Sequence, residues 1–144
     1  MTRNSDQYFI DMAEHVSTRA TCPRRAVGCV TINKHKHILS TGYNGTPRGL
    51  PHCVDRSCGG EQGTLEQCHA VHAEMNALLQ CSDVMQIDTL YCTYSPCPTC
   101  AKLIANTSCK TVIYKEEYKD TTGITLLLNV GIDVKRIGDR EAGL

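Results

Sequence analysis

Apolar residues recur along the chain with two periods, and the alternation between them predicts the fold. Phe9, Met12, Ala13 and Val16 repeat at helical spacing, so residues 5 to about 20 are expected to form a helix capped by Ser5 with those side chains facing the core. Residues 26–32 (AVGCVTI) are almost wholly apolar, as a buried strand is. The polar Asn33-Lys34-His35-Lys36 turn and the stretch 38–43 complete a hairpin, with His35 and His37 read as solvated turn and edge residues. After His72 the apolar Ala73, Ala77, Leu78 and Cys81 return to helical spacing, and that helix is expected to end near Cys81. A strand over 89–94, a helix through Ala101, Leu103, Ile104 and Ala105, a strand over 111–114, a helix over 122–130 stopped by Gly131 and a strand over 132–135 follow.

The order is α-β-β-α-β-α-β-α-β. Helices separate the last three strands, which should therefore be parallel, with right-handed crossovers. The first two strands form an antiparallel hairpin. The expected fold class is α/β, a three-layer α-β-α domain on a five-stranded mixed sheet. The 144 residues suit a single domain, 1–144. Between about 44 and 68 the pattern lapses into Gly and Pro with few aliphatics. A loop of that length needs a function or a staple. It carries His52, Cys53, Cys58 and Cys68, and Cys22 precedes the first strand, so four of these could close a second, structural zinc site. Cys29, Cys81, Cys92 and Cys109 fall inside apolar elements and read as core.

Charge and composition narrow the field. Fifteen basic and fifteen acidic residues give zero formal net charge, without the basic footprint of a polynucleotide binder. Six Tyr, one Phe and no Trp make extended base-stacking platforms unexpected. No apolar run reaches membrane-spanning length and no signal-peptide core opens the chain. Ten cysteines in such a chain indicate metal binding and small core hydrophobes rather than a disulfide framework. The expectation is a cytoplasmic zinc protein with no membrane or nucleic-acid polymer partner.

The chemistry gathers in two stretches, His72-Ala73-Glu74 and Pro96-Cys97-Pro98-Thr99-Cys100. Two thiolates and one imidazole make three zinc ligands, which leaves the fourth position of a catalytic site for water. Cys97 and Cys100, three apart at a proline-marked helix start, put both sulfurs on one face, where the helix dipole favours thiolates. His72 and Glu74 are two apart and can converge only in a first turn. Zinc should then sit between two helix N-termini on one sheet face. Glu74 is not needed as a ligand, but beside the metal a carboxylate can take a proton from water and return it to a leaving group. A structural zinc knuckle with a bystander glutamate is the competing reading.

This H-x-E and P-C-x-x-C pair matches the signature of zinc nucleobase deaminases, and the chain resembles the cytidine deaminase superfamily. Gly42-Tyr43-Asn44-Gly45-Thr46-Pro47-Arg48-Gly49 resembles a stretch of the deoxycytidylate deaminases within it, especially compact phage and bacterial ones. Similarity runs from about residue 21 to 118. The resemblance implies a cytidine-deaminase-like fold and hydrolysis of dCMP to dUMP and ammonia, which feeds thymidylate synthesis. His72, Cys97 and Cys100 would bind zinc, Glu74 would shuttle protons and Asn44 would contact the sugar. Cys22, Cys53 and Cys68 fall where family members carry structural-zinc ligands; Cys58, then His69 or His52, are candidates for the fourth. Gln62 and Ala70 stand where some phage members have a histidine and a glutamate. For the phosphate the candidates are Arg24, Arg25, Arg48 and Lys119, with Tyr118 as a hydroxyl donor. The resemblance also implies a homo-hexamer, activated by dCTP and inhibited by dTTP, whose regulatory nucleotide, carried with Mg²⁺, would meet Gly45, Thr46 and Arg48.

Overall fold

The apolar periods become packed layers in the computed structural model, which describes residues 4–22, 25–51 and 70–138. The elements run α1 (Ser5–Ser17), β1 (Gly28–Ile32), β2 (Ile38–Tyr43), α2 (Ala73–Gln80), β3 (Thr89–Tyr94), α3 (Pro98–Ala105), β4 (Thr111–Glu116), α4 (Thr122–Asn129) and β5 (Asp133–Arg136). Asn4, not Ser5, caps α1: its Oδ1 accepts from the Gln7 amide at 3.1 Å. The helix stops at Ser17 rather than near 20, because the amides of Thr18, Arg19 and Ala20 each bond the carbonyl three residues back. A short 3₁₀ turn at Val84–Gln86, too brief to show a period, joins α2 to β3.

The sheet order is β2-β1-β3-β4-β5. β1 pairs antiparallel with both β2 and β3, whereas β3, β4 and β5 are parallel. The period-2 alternation of β1 divides the core. Val30 and Ile32 face α1, where Phe9, Ile10 and Ala13 cover them together with Tyr91 and Ile113. Cys29, with Leu90, Cys92 and Val112, faces the other side, where Ala73 and Ala77 of α2, Ala101 and Ile104 of α3 and Leu127 of α4 close over them. One helix on one face and three on the other give the three-layer α-β-α arrangement. Cys29, Cys92 and Cys109 are buried in it and Cys81 packs at its margin. No helix among the described residues is long and apolar enough to cross a membrane.

Register decides what meets at the end of the sheet where the parallel strands finish. Cys29 lies opposite Cys92, and Gly28 opposite Tyr43. The residues entering β1, the residues leaving β2 and the C-terminal end of β3 are therefore neighbours. In open α/β sheets ligands bind outside the carboxyl ends of the strands. Two glycines let helices reach that end. A Cβ on Gly42 would overlap backbone atoms of Ala73 and Ala77, so α2 lies directly on β2; one on Gly123 would overlap the Pro96 carbonyl, just before Cys97.

Candidate active site

His72 is the N-cap of α2, in extended backbone, and Cys97 is the N-cap of α3, followed by proline at the first helical position. Cys100 sits in the first turn of α3, and its amide donates to Cys97 Sγ at 3.5 Å. The two helix starts thus aim three donors at one point. His72 Nδ1 lies 3.4 Å from Cys97 Sγ and 3.3 Å from Cys100 Sγ, and all three ligand atoms are within 4.8 Å of one another. Tetrahedral zinc, at about 2.3 Å from sulfur and 2.0–2.1 Å from nitrogen, puts N and S roughly 3.5 Å apart. The donor set fits that ion in element type and spacing.

The electrostatics suit the same ion. The Cys100 hydrogen bond, with His72 and the Cys100 amide, holds the Cys97 thiol down at about 4 against the effect of burial. Cys97, in turn, raises the imidazole of His72. Cys100, next to that thiolate and buried, is raised and holds its proton. A dication would favour the anionic form of both thiols.

Glu74 is the second residue of α2 and is only 4% exposed. Burial raises its pKa, opposed by its own backbone amide and by His72. Beneath it, Cys29 and Cys92 face each other across β1 and β3. Burial raises the Cys29 thiol, and its hydrogen bond to Cys29, then burial, raises that of Cys92, so this floor is uncharged. A dry carboxylate displaced toward neutrality is suited to taking a proton and giving it back.

Asn44, just after β2, is buried and ties the entry to β1: its Oδ1 accepts from Val27 N at 2.8 Å and its Nδ2 donates to Arg25 O at 2.7 Å. The asparagine therefore fixes backbone at the rim, and one amide hydrogen and a lone pair are left for a ligand. Arg25, so positioned, packs against two neighbouring aromatic rings, 4.6 Å from the centroid of Tyr94 and 4.4 Å from that of Tyr118. Tyr118 is held by its own amide, which donates to Ser95 Oγ at 2.9 Å, and Ser95 is buried two residues before Cys97. Ser95 and Tyr94 carried no sequence signal beyond strand and turn placement.

A separate open groove of about 830 Å³ lies between the end of α1, the end of β2 and α2. Gly45, Thr46 and Arg48 line it with Arg19 and Thr21. Among the described residues, the buried Thr21 and Thr46 hydroxyls have no hydrogen-bond partner. Gly45 and Val71 exchange both backbone bonds, at 3.1 and 2.7 Å, so the Gly45 amide is not open to a ligand as the glycine-rich sequence suggests. Arg24, Cys53, Cys58 and Cys68, with His52, Gln62 and His69, lie outside the described residues. Cys22, partly buried, is the one member of the proposed second zinc set within them.

The cytidine and deoxycytidylate deaminase zinc-binding region is matched over residues 3–116. A deoxycytidylate deaminase of Saccharomyces cerevisiae is 38% identical over 94% of this chain and 46% of its own length. The deoxycytidylate deaminase of Mycobacterium phage D29 is 38% identical over 78% of the chain and 94% of its own. Among solved structures, the dCMP deaminase of cyanophage S-TIM5 in complex with dCMP and dUMP superposes with a TM-score of 0.78, at 34% identity, covering 95% of this chain and 99% of that one. The chain spans about half the length of the yeast relative and nearly all of the phage ones.

Proposed function

Because the chain belongs to the cytidine and deoxycytidylate deaminase family, we propose that it hydrolyses the 4-amino group of dCMP, giving dUMP and ammonia for thymidylate synthesis. The observation that carries this reading is the convergence of His72 Nδ1, Cys97 Sγ and Cys100 Sγ beside a buried glutamate that none of them needs as a ligand. His72, Cys97 and Cys100 would hold zinc, which when bound supplies a Lewis acid that makes water acidic near neutral pH. Glu74 does the proton work. It takes a proton from the water whose oxygen adds to C4 and delivers it to N3. It then takes the remaining proton from the hydroxyl added at C4 and gives it to the 4-amino group, so that C4=O forms as the C4–N bond breaks and ammonia leaves. Asn44 faces the sugar. The ten cysteines, two of them in the catalytic metal set and needing to stay reduced to bind it, support a reducing, cytoplasmic setting.

The test is an absorbance assay of the zinc-loaded protein with dCMP, CMP, deoxycytidine, dCTP and a cytosine-containing oligonucleotide. dCMP is expected to be turned over with the highest kcat/KM, and the oligonucleotide not at all. Preference for the oligonucleotide would overturn the mononucleotide reading.

The groove supports regulation by dCTP as activator and dTTP as inhibitor, each carried with Mg²⁺. Arg19 and Arg48 offer charge to a triphosphate, and the Thr21 and Thr46 hydroxyls offer hydrogen bonds that nothing among the described residues uses. The groove reaches the site through backbone: Gly45 pairs with Val71, which precedes His72, and the Thr21 amide donates to the Asn44 carbonyl at 3.3 Å. Activator and inhibitor must prefer different arrangements of this segment, since a ligand that binds both equally shifts nothing. Leu79, Leu103 and Leu128, exposed on the three-helix face, are apolar surface that a homo-hexamer would bury. dCMP saturation curves are expected to be sigmoidal, steepened by dTTP and made hyperbolic by dCTP, with sedimentation giving a mass above the monomer. Hyperbolic curves unmoved by either nucleotide would refute regulation and leave the deaminase assignment intact.

A further inference from the structure

The peptide unit that leads into Asn44 is held at both ends. Its carbonyl oxygen, that of Tyr43, accepts from Asn76 Nδ2 at 2.8 Å, and its N–H donates to the Val27 carbonyl at 3.3 Å. Asn76 stands in the opening of α2, where its own amide donates to the His72 carbonyl at 3.0 Å. One residue therefore grips the backbone of a metal donor with its main chain and the backbone of the asparagine at the rim with its side chain.

The neighbouring contacts leave this side chain a specific task. α2 lies against β2 at Gly42, where a Cβ would overlap backbone atoms of Ala73 and Ala77, and Val71, just ahead of the helix, pairs with Gly45. These two contacts set how closely helix and strand end approach. Neither holds the carbonyl of the Tyr43–Asn44 peptide. That unit is planar, so turning its carbonyl also turns the bond to the Cα that carries the Asn44 side chain. Asn76 supplies the restraint. It is half-buried, lines the outer groove together with Tyr43, and is not one of the donors that converge at the metal site. Its influence on the reaction runs through what it holds.

We propose that Asn76 is a positioning residue that keeps Asn44 in register with His72 and Glu74, so that the deoxyribose and the reacting C4 of the nucleotide are seated at once. This rests on the dCMP reading above, with Asn44 facing the sugar. The deoxyribose of dCMP has a single free hydroxyl, at C3′. Asn44 keeps an amide hydrogen and a lone pair for it after bonding Val27 and Arg25. When the two ends of a substrate must meet fixed groups together, an error of about 1 Å between those groups can cost about 100-fold in rate.

The experiment compares zinc-loaded wild type, Asn76→Ala and Asn76→Asp on dCMP and on 2′,3′-dideoxycytidine 5′-monophosphate, with zinc content and Tm read on each preparation. Alanine is a strong helix former and keeps α2 intact. Aspartate keeps the shape of the side chain but, ionised, cannot donate to the Tyr43 carbonyl. Both variants are expected to lower kcat for dCMP by about 10- to 100-fold, with KM within about threefold and zinc content unchanged. On the dideoxy nucleotide, already slower in wild type, the same variants should lose less than about threefold, because no sugar hydroxyl is left to keep in register. Equal losses on the two nucleotides would make Asn76 a general support of α2 and overturn the proposal. So would an unchanged kcat in either variant, or a fall in zinc content or folded fraction that accounts for the lost rate. A wild type that turns over both nucleotides alike would remove the sugar hydroxyl from recognition, and the register with it. A wild type inactive on dCMP would end the dCMP reading and this proposal together, whereas an active wild type with any of the other results ends this proposal alone.

Discussion

Glu74→Ala is expected to bind zinc normally and to lose nearly all turnover of dCMP. Glu74 sits beside the His72, Cys97 and Cys100 donors without being one of them, so its removal leaves the ligand set complete. What it removes is the group proposed to carry a proton from water to the ring and on to the departing amine. Positioned acid–base groups contribute about 10²–10⁴-fold, and Glu74 is asked to do that work at more than one step, so a fall of at least about 10³-fold in kcat is expected. KM for dCMP should move little, because the carboxylate contributes to the barrier rather than to recognition of sugar or phosphate. Glu74→Gln separates proton transfer from packing. It keeps the side chain's volume and polarity over the Cys29–Cys92 floor, and its kcat should fall as far as that of the alanine variant. The measurements are metal content, far-UV circular dichroism and steady-state kinetics on the same preparations. A folded, zinc-replete Glu74→Ala enzyme with kcat within tenfold of wild type would remove Glu74 from the mechanism.

The readable parts of this chain are those where chemistry is local. The helix periods in 9–16 and 101–105, the apolar run ending at Ile32 and the proline-marked entry to α3 each depend on residues within a turn or two of one another, and the elements appear where those patterns lie. Element ends were less legible, because Asn4 and Ser5 are both competent caps and only the Gln7 amide chooses between them. The strand order could not be read either. β1 inserts between β2 and β3, and that depends on which apolar face meets α1, a long-range matter. The same limit applies to the rim. Asn44 next to a glycine looks like a turn residue, and its bonds to Val27 and Arg25 exist only once β1 and β2 pair. Arg25, Tyr94 and Tyr118 are far apart in sequence and come together because β1, β3 and β4 are neighbours. Conversely, the glycine-rich Gly45 looked like a source of free amides, but pairing with Val71 consumes its N–H.

Cys97→Ser and His72→Ala should each lose metal and activity together. The expectation follows from how few groups hold the ion: three protein donors leave no spare, so losing one means losing affinity. Serine can replace the Cys97 sulfur as the N-cap acceptor and preserve the start of α3, but it exchanges a soft thiolate for a neutral oxygen that zinc binds poorly. Affinity at this site should fall by more than about 100-fold, since altering even an outer-shell partner commonly costs 10–100-fold. The metal count also tests the second, structural site proposed for Cys22, Cys53, Cys68 and a fourth ligand headed by Cys58. Wild type is then expected to carry two zinc per chain, and Cys97→Ser one. Cys22→Ser or Cys53→Ser should also carry one, but with Tm lowered and kcat at saturating dCMP largely kept, because a staple stabilises the fold without touching the reacting atoms. Each variant therefore loses one ion, and they differ in which property leaves with it. Two zinc atoms retained in inactive Cys97→Ser would sink the His72–Cys97–Cys100 centre, whereas one zinc in fully active wild type would sink the second site alone.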